Sequence, residues 1–426
     1  MFITKEDPNA MLKGSRDPLG LVPIRTALGR QVISNLNSQS NSARGFTTLI
    51  LGRYLAQFLL ENGDTETEPV DIFLRFEQLC AYARYKNNRN VTDIRGIERV
   101  RANFQKPKRI PIQTDTEGRL LTDQKRYGLW GLFSVPARTS QLIDDQLVGV
   151  TESAAKFIET NYIPTLKPIM KPLTKWLKEG GYLNTDKSKE FEVLRSIFAN
   201  GYTMQEQEFY NEYLCDAPNA QNRVKHQKLF NQLLRDCVEW DDSLGRKSFE
   251  SLKAKALSLE NNTLACCLDQ ILRIEAVLAI LSAAFSHLLS CDHKRISSVS
   301  ADLSNKWGQS LPNIEPEKNN DLLKKIDSVY PEQNDVREYF NQCQKSLADG
   351  KYSDLIEALV HWNKYISVRR GGSPWLVLGS EERLDVHYRG LDTILPSADE
   401  LAFLWHNGYF VTSLHSITHQ LTETRN

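Results

Sequence analysis

Apolar residues recur every three to four positions along most of this chain, the spacing that lets a helix bury one face. The stretch 44–61 is a clear case, because Phe46 and Ile50 share one face with further apolar residues. Similar patterns follow through residues 173–350, interrupted by the Gly, Pro and Asn residues that typically end helices. Residues 265–290 are apolar nearly all round, which predicts a central buried helix. We therefore predict a mainly α fold of multi-helix bundles.

Two short stretches near the C-terminus alternate instead between apolar and polar residues, as strands do. Residues 375–378 and 383–388 flank a four-residue connection at 379–382, which predicts a small C-terminal β-hairpin. Residues 112–121 contain a glycine-centred turn signal at 116–118 and predict another short hairpin.

A chain of 426 residues is longer than one hydrophobic core usually serves, so we expect more than one domain. Three prolines, spaced four residues apart from residue 164 onwards, indicate a hinge. Near residue 350 the long helical region gives way to a helix, the hairpin and a final helix. We therefore predict an N-terminal helical domain at 1–163, an α-helical bundle at 164–350 and a C-terminal region at 351–426.

The composition is that of a folded globular protein, with 41% hydrophobic residues, 25% charged residues and a formal net charge of zero. This balance excludes a protein that binds polyanions over its whole surface. Seven cysteines without a CxxC pair indicate reduced thiols. The first residues lack a secretion-signal pattern, and the most apolar run, 276–289, is too short to cross a bilayer. We therefore expect a cytoplasmic protein without membrane contact.

Positive charge is concentrated in the basic run, residues 84–109, where nine basic side chains stand against two acidic ones. These basic residues are Arg84, Lys86, Arg89, Arg95, Arg99, Arg101, Lys106, Lys108 and Arg109. Several such cations on one exposed surface can neutralise DNA phosphates, and the neighbouring Tyr82, Tyr85 and Phe104 can stack on bases. The alternative is a solvated face that pairs with the acidic loop 61–71 or with an acidic partner.

The segment after the basic run has the element order of part of a winged-helix module. The helical pattern is interrupted at Pro136, which predicts two helices, and a strand-like stretch at 147–150 precedes a capped helix. In such a module the second helix enters the major groove, so Arg138 would contact bases or phosphates and complete the predicted DNA-binding set. The alternative is a packed helical linker in which Trp130 and Phe133 anchor the core.

Motifs for catalysis or nucleotide binding are absent from the sequence. It lacks GxxxxGK[ST] and GxGxxG, and His415 and His419 lack the Glu and the further ligands of a zinc protease. A metal-dependent nuclease needs converging carboxylates, but Asp385, Glu381 and Glu382 do not form its Asp…Glu-x-Lys arrangement. We therefore expect no metal, no cofactor and no enzymatic activity, with a divergent metal-dependent nuclease as the lesser alternative.

Four stretches, with Tyr409-Phe410 near the end, carry a family resemblance. They are LGLVPIRTALGR at 19–30, RFEQLCAYAR at 75–84, YGLWGLFSVPAR at 127–138 and RRGGSPW at 369–375. In this order they resemble a family of uncharacterised prokaryotic proteins from phage-defence and restriction-type gene neighbourhoods. The resemblance implies a bacterial cytosolic component that works beside an ATPase, a helicase or a nuclease, and it supplies no catalytic residue.

Together, the basic run and the resemblance define the expected function. We expect a non-catalytic subunit of a bacterial anti-phage defence assembly, which contacts DNA or a DNA-engaged partner through residues 82–162. The alternative is a protein-interaction scaffold without nucleic-acid contact. The expected partners are DNA and other defence subunits, such as an ATPase, a helicase or a nuclease.

Overall fold

The protein is mainly α, as the apolar periodicity predicts, and its described residues form two small antiparallel sheets of two strands each. The computed structural model describes residues 17–63, 66–105, 109–144, 148–238, 244–308, 311, 314–331, 334–388 and 394–424. Of the helices in these residues, none combines the length and the apolar character needed to cross a membrane.

Helices account for most of the described residues. The α-helices are α1 (Leu21–Gly29), α2 (Ala43–Glu61), α3 (Pro69–Asn87), α4 (Ile97–Gln105), α5 (Gln124–Tyr127), α6 (Leu129–Thr139), α7 (Glu152–Asn161), α8 (Ile163–Leu166), α9 (Met170–Glu179), α10 (Lys189–Ile197), α11 (Met204–Tyr210), α12 (Gln227–Cys237), α13 (Arg246–Ser258), α14 (Asn262–Leu288), α15 (Ile296–Trp307), α16 (Asn320–Val329), α17 (Asn334–Asp349), α18 (Tyr352–Arg369), α19 (Ala398–Leu401) and α20 (Val411–Gln420). Short 3-10 helices lie at Lys167–Ile169, Pro316–Asn319 and Ser380–Glu382, and a π-helical segment at Asn211–Asp216. The strands are β1 (Ile110–Ile112), β2 (Gly181–Leu183), β3 (Leu376–Leu378) and β4 (Leu384–Val386).

The predicted C-terminal hairpin is confirmed, since β3 and β4 pair antiparallel. The other predicted hairpin is wrong, because β1 pairs antiparallel with the distant β2. After β1 the chain turns instead, and the carboxylate of Asp115 accepts the backbone N–H groups of Glu117 at 2.9 Å and Gly118 at 3.1 Å. This side-chain turn uses the backbone donors that a hairpin ladder would need.

Packing divides the chain into two compact units, each assembled from discontinuous segments. The first unit contains Met1–Gln31 and Ser243–Tyr409, and the second unit contains Val32–Asp242 and Phe410–Asn426. The predicted three-domain division, with limits after residues 163 and 350, stays a prediction.

In the first unit, α14 is the buried central helix that its apolar pattern predicts, and α13 packs along it. A charged side chain of α14 lies within this core. Glu275 is fully buried and accepts hydrogen bonds from Arg25 at 2.8 and 2.9 Å and from the Tyr409 hydroxyl at 2.6 Å. Because a buried charge needs partners, this carboxylate attaches both α1 and the segment around residue 409 to the core helix.

The second unit is built around α2 and α3, which pack closely against each other. Aromatic side chains fill the space between the helices, and Phe46, Phe73 and Phe76 are fully buried. Gly52 permits this contact, because a Cβ atom at that position would lie 2.8 Å from both the Phe73 ring and the Phe76 ring. Any larger residue there would force the two aromatic rings to move.

A single helix, α6, continues through Pro136, where the sequence analysis predicted a break. Proline has no N–H, so the carbonyl of Leu132 one turn earlier lacks its helical partner. The Asn37 side chain donates its Nδ2–H to that carbonyl at 3.2 Å. The break prediction is therefore wrong because a residue distant in sequence replaces the missing hydrogen bond.

The two helices of this segment are therefore α5 and α6, and they do not divide at Pro136 as the winged-helix interpretation expects. Ile143 and Val150 form an isolated antiparallel bridge, whereas Leu147 of the predicted strand lies outside the described residues. Phe133 is buried, with its ring centre 5.0 Å from that of Phe46. The alternative role of Phe133 as a core anchor is confirmed.

Candidate nucleic-acid interface

Two basic residues near the C-terminal end of α3 contact acidic groups of the chain itself. Arg84 is buried, and its Nη2 donates to Asp93 Oδ1 at 2.5 Å. Lys86 Nζ donates to the Thr185 carbonyl at 2.5 Å and lies 3.0 Å from the Asp186 carboxylate. Both cations also compensate the negative end of the α3 dipole. Their charges therefore have partners within the fold.

Three further arginines of the basic run contact groups of the chain itself. Arg95 donates to the backbone carbonyl and the side-chain oxygen of Gln39, both at 2.9 Å. Arg99 donates to the carbonyls of residues 116 and 117 at 3.0 and 3.2 Å, and Arg101 forms an ion pair with the glutamate one turn before it. Since a guanidinium has five N–H donors, these contacts occupy only part of each side chain's capacity.

Arg89 and Arg109 are exposed and rest on aromatic rings. The Arg89 guanidinium lies 4.6 Å from the centre of the Tyr85 ring and 4.5 Å from that of Phe104. The Arg109 guanidinium lies 5.9 Å from the centre of the Tyr182 ring. A ring face orients an arginine while its N–H edge stays accessible to a phosphate. Of the described residues in the basic run, these two are presented best for binding.

The remaining predicted residues differ in their placement. Lys106 and Lys108 lie outside the described residues. Arg138 is half-buried on α6, and burial, followed by the charge of Arg138, lowers the pKa of Arg53 to about 10. Tyr82 is fully buried, and its hydroxyl accepts a hydrogen bond from Asn103 at 2.7 Å. The interpretation of Tyr82 as a base-stacking residue is therefore wrong.

A polar cleft of about 340 Å³ opens beside Arg84 in the second unit. Its walls come from the start of α2, the end of α3 with the loop after it, residues 198–202 and α20. The polar side chains that line it are Asn41, Arg44, Arg84, Asn88, Asn90, Thr92, Asp93, Asn200, Tyr202, Ser416, Gln420 and Glu423. Arg89 lies between Asn88 and Asn90 in the chain, but its own side chain is not among those that line the cleft.

Arg44, in the first turn of α2, anchors one wall of the cleft. Its Nη1 donates to Glu206 at 2.6 Å, its Nη2 donates to the Gly201 carbonyl at 2.6 Å, and its guanidinium lies 4.2 Å from the Tyr202 ring centre. Burial by itself raises the pKa of the Glu206 carboxyl, but the charge and hydrogen bond of Arg44 hold it below its ordinary value. The pair is therefore ionised, and the arginine is fixed in position.

The Arg84 ion pair fixes the opposite wall. Asp93 accepts from Arg84 and also from the hydroxyl of Ser42, which caps α2 by accepting the Gly45 N–H at 2.9 Å. Burial raises the pKa of the Asp93 carboxyl, but the charge of Arg84 and these hydrogen bonds lower it overall. The end of α3 and the start of α2 are thus joined through one charged carboxylate.

The chemistry of the cleft follows from these pairs. Each arginine in its lining has a carboxylate partner, so the cleft is polar rather than strongly positive. Amide, hydroxyl and guanidinium groups place donors and acceptors side by side, which suits the hydrogen-bonding edge of a nucleobase. A phosphate is better matched by an exposed guanidinium such as that of Arg89.

Sequence patterns do not identify Glu206 as the ion-pair partner of Arg44. Glu206 lies 162 positions after Arg44, so no local pattern connects them. The local signal at Glu206 is the capping box that it forms with Thr203, which indicates the start of α11 and not an ion-pair partner.

No family model matches this chain, and neither a curated protein nor a solved structure matches it. The functional assignment therefore rests on the sequence and on the geometry described above.

Proposed function

We propose that this chain is a non-catalytic subunit of a bacterial anti-phage defence assembly and contacts DNA, or a DNA-engaged partner, through residues 82–162. The observation that carries the DNA contact is the exposed guanidinium of Arg89, held on the rings of Tyr85 and Phe104. A second arginine in the same stretch, Arg109, is presented on a ring in a similar way. The resemblance to phage-defence proteins supports the cellular setting.

Binding through these arginines has a measurable signature. Each phosphate contact releases condensed counterions, so the affinity falls as salt rises, with a logarithmic slope of about 0.9 per contact on duplex DNA. The paired arginines of the cleft contribute less to this slope, because their charges are already compensated within the fold. Among the described residues of the basic run, the salt dependence therefore reports mainly on Arg89 and Arg109.

The test is binding of the purified protein to labelled double-stranded DNA across a salt series. The double variant Arg89→Ala/Arg109→Ala should bind more weakly, with a slope shallower by about 2. The matched control is Arg369→Ala in the first unit, because Arg369 is also exposed and lies 5.7 Å from a tyrosine ring centre. An absence of binding at low salt, or equal binding by the wild type and the double variant, would contradict the proposal.

A protein-interaction scaffold without nucleic-acid contact is the second candidate. It is favoured by the fact that five cations of the basic run donate to groups of this chain. They are Arg84, Lys86, Arg95, Arg99 and Arg101. In this case the wild type binds no DNA at any salt concentration, and co-purification with other defence subunits is unaffected by nuclease treatment or by the double variant.

A further inference from the structure

A cluster of metal-ligating side chains lies beside the C-terminal hairpin of the first unit. Asp292 and His293 follow α14, and Asp385 lies on β4. Ligand atoms of these three residues all lie within 4.8 Å of one another. His387 lies beside the cluster, with its Nε2 3.7 Å from Asp385 Oδ2. The cluster combines two carboxylates with an imidazole, donors that zinc accepts in proteins.

Backbone hydrogen bonds fix the positions of these residues. The His293 N–H donates to the Leu384 carbonyl at 2.8 Å, and the Leu384 N–H donates to the Lys294 carbonyl at 2.9 Å. The residues after α14 thus run along the edge of the hairpin beside β4. Asp292 Oδ1 also accepts the Val386 N–H at 3.1 Å. Side chains on such a paired framework are held close to a binding geometry before the ligand arrives.

The hydrogen bonding of His387 orients its ring. Its Nδ1 lies 3.1 Å from the carbonyl oxygen of Pro374, which can only accept, so Nδ1 carries a proton. Its Nε2 lies 3.7 Å from a carboxylate oxygen of Asp385, and either a second ring proton or a metal ion can join these two atoms. A carbonyl partner on the other ring nitrogen is typical of metal-binding histidines.

Neighbouring basic side chains are directed to other carboxylates. Arg295 and Arg383 lie 2.9 and 3.6 Å from Glu381. Lys294 lies 3.6 Å from Asp302. The cations adjacent to the cluster in the chain therefore have acidic partners away from Asp385 and His387.

We propose that Asp292, His293 and Asp385 bind a divalent transition-metal ion, with zinc as the best-matched ion. Mixed imidazole and carboxylate donors select this class of metal over magnesium and calcium, which prefer oxygen ligands throughout. His293 is 76% exposed in its side chain, so the ion can reach the cluster from solvent. This binding site is independent of the proposed DNA contact.

The test is a calorimetric titration of zinc chloride into the full chain after treatment with a chelator. The wild type should bind one ion per chain. Asp385→Asn and His293→Gln should each weaken binding at least about tenfold, because even changes to the partners of metal ligands cost 10- to 100-fold in affinity. Both side chains are largely exposed, so the variants should keep the wild-type circular dichroism spectrum.

The matched control is His361→Gln, which changes an exposed histidine on α18 and should leave zinc affinity unchanged. Cobalt provides a second readout, since its visible absorption reports imidazole and carboxylate coordination and should disappear in Asp385→Asn. The proposal is overturned if the wild type shows no saturable zinc binding. It is equally overturned if Asp385→Asn and His293→Gln bind zinc as tightly as the wild type.

Discussion

Glu77 places a carboxylate in the fully buried interior beside the start of α6. Its Oε1 accepts the Leu129 N–H and its Oε2 accepts the Gln124 side-chain N–H, each at 2.7 Å. Burial raises the pKa of Glu77 to about 7, although these hydrogen bonds and the charge of Arg95 lower it. Gly128 is required beside it, because a Cβ atom there would lie 2.9 Å from both carboxylate oxygens.

The pKa of Glu77 predicts a pH-dependent stability. An acid whose pKa is raised on folding stabilises the protein fully below its unfolded value of 4.5, and this contribution is lost as the pH rises through 7. The free energy of unfolding should therefore fall by about 3 kcal/mol between pH 4.5 and 8, relative to the non-titrating Glu77→Gln variant. Urea denaturation across this range measures the difference.

We also expect a pH-independent difference in the free energy of unfolding between the wild type and Glu77→Gln. The glutamine amide places its own N–H donor opposite one of the N–H groups that donate to Glu77. Only a change of the difference with pH reports the titration. Glu117→Gln is the control, because Glu117 is exposed and should give a curve parallel to that of the wild type. Parallel curves for Glu77→Gln as well would show that the carboxyl does not titrate in this range.

Sequence patterns predict single residues only where the neighbours are local. Tyr82 follows Leu79 by three positions, so it lies on the apolar stripe of α3, and its burial could have been inferred from that spacing. The outward position of Arg89, two residues beyond the helix, follows from the end of α3. In contrast, the partners of Arg44 come from other elements, and no residue near it indicates them.

At the scale of elements, α6 shows how a distant side chain can keep a helix intact. Pro136 leaves the Leu132 carbonyl without its N–H partner, and Asn37 Nδ2 supplies one at 3.2 Å. Asn37 precedes α2 and is far from α6 in the sequence. Removing its amide should leave a carbonyl without a partner, a change that costs about 1–3 kcal/mol in a buried position.

A double-mutant cycle tests this compensation. Asn37→Ala should destabilise the wild type, but in a Pro136→Ala background the new N–H at position 136 can bond the Leu132 carbonyl. The free energy of unfolding that Asn37→Ala removes should therefore be smaller by about 1 kcal/mol in the Pro136→Ala background, as measured by urea denaturation. Asn62→Ala is the matched control, because Asn62 also donates to a helix carbonyl, at 2.7 Å, but far from Pro136 in the chain. Additive effects of Asn37→Ala and Pro136→Ala would refute the compensation.

The two sheets show the same limit on prediction from sequence. β3 and β4 are joined by a short connection, so their pairing is encoded in adjacent residues and was predicted correctly. β1 pairs with a strand that begins at Gly181, and its own neighbours contain only a turn. Local patterns thus identify strands and helices well, whereas the choice of partner depends on the folded chain.

At the scale of the whole molecule, neither unit is continuous in sequence. In the first unit, the ion pair between Arg25 and Glu275 attaches α1 to the central helix α14. The second unit is completed by α20, which packs on α12 after the chain has passed through the whole first unit. Breaks in the local sequence pattern, such as the prolines after residue 163, do not indicate that residues 410–426 rejoin the unit formed by residues 32–242. The predicted domain limits after residues 163 and 350 follow such breaks and stay a prediction.

This topology predicts that the second unit depends on the last helix. In α20, Val411, Leu414 and Ile417 are buried, the Thr418 hydroxyl donates to Asn231 at 2.8 Å, and other contacts reach the start of α2. A chain truncated after residue 409 loses the burial of three apolar side chains, each worth about 2 kcal/mol. Amide exchange in α12 should therefore accelerate on the order of 100-fold or more.

Hydrogen exchange resolved by peptide distinguishes this dependence from a general loss of folding. Exchange in α13 and α14, which belong to the first unit, should stay at the wild-type rate in the truncated chain. Ile417→Ala is the milder variant for the case in which the truncated chain cannot be purified, with an expected loss of about 2–5 kcal/mol. Equal acceleration in α12 and α14 would show that the two units unfold as one, and unchanged exchange in α12 would show that α20 is dispensable. Selective acceleration would mean that the final residues of this chain complete the same unit that carries the basic run and the polar cleft.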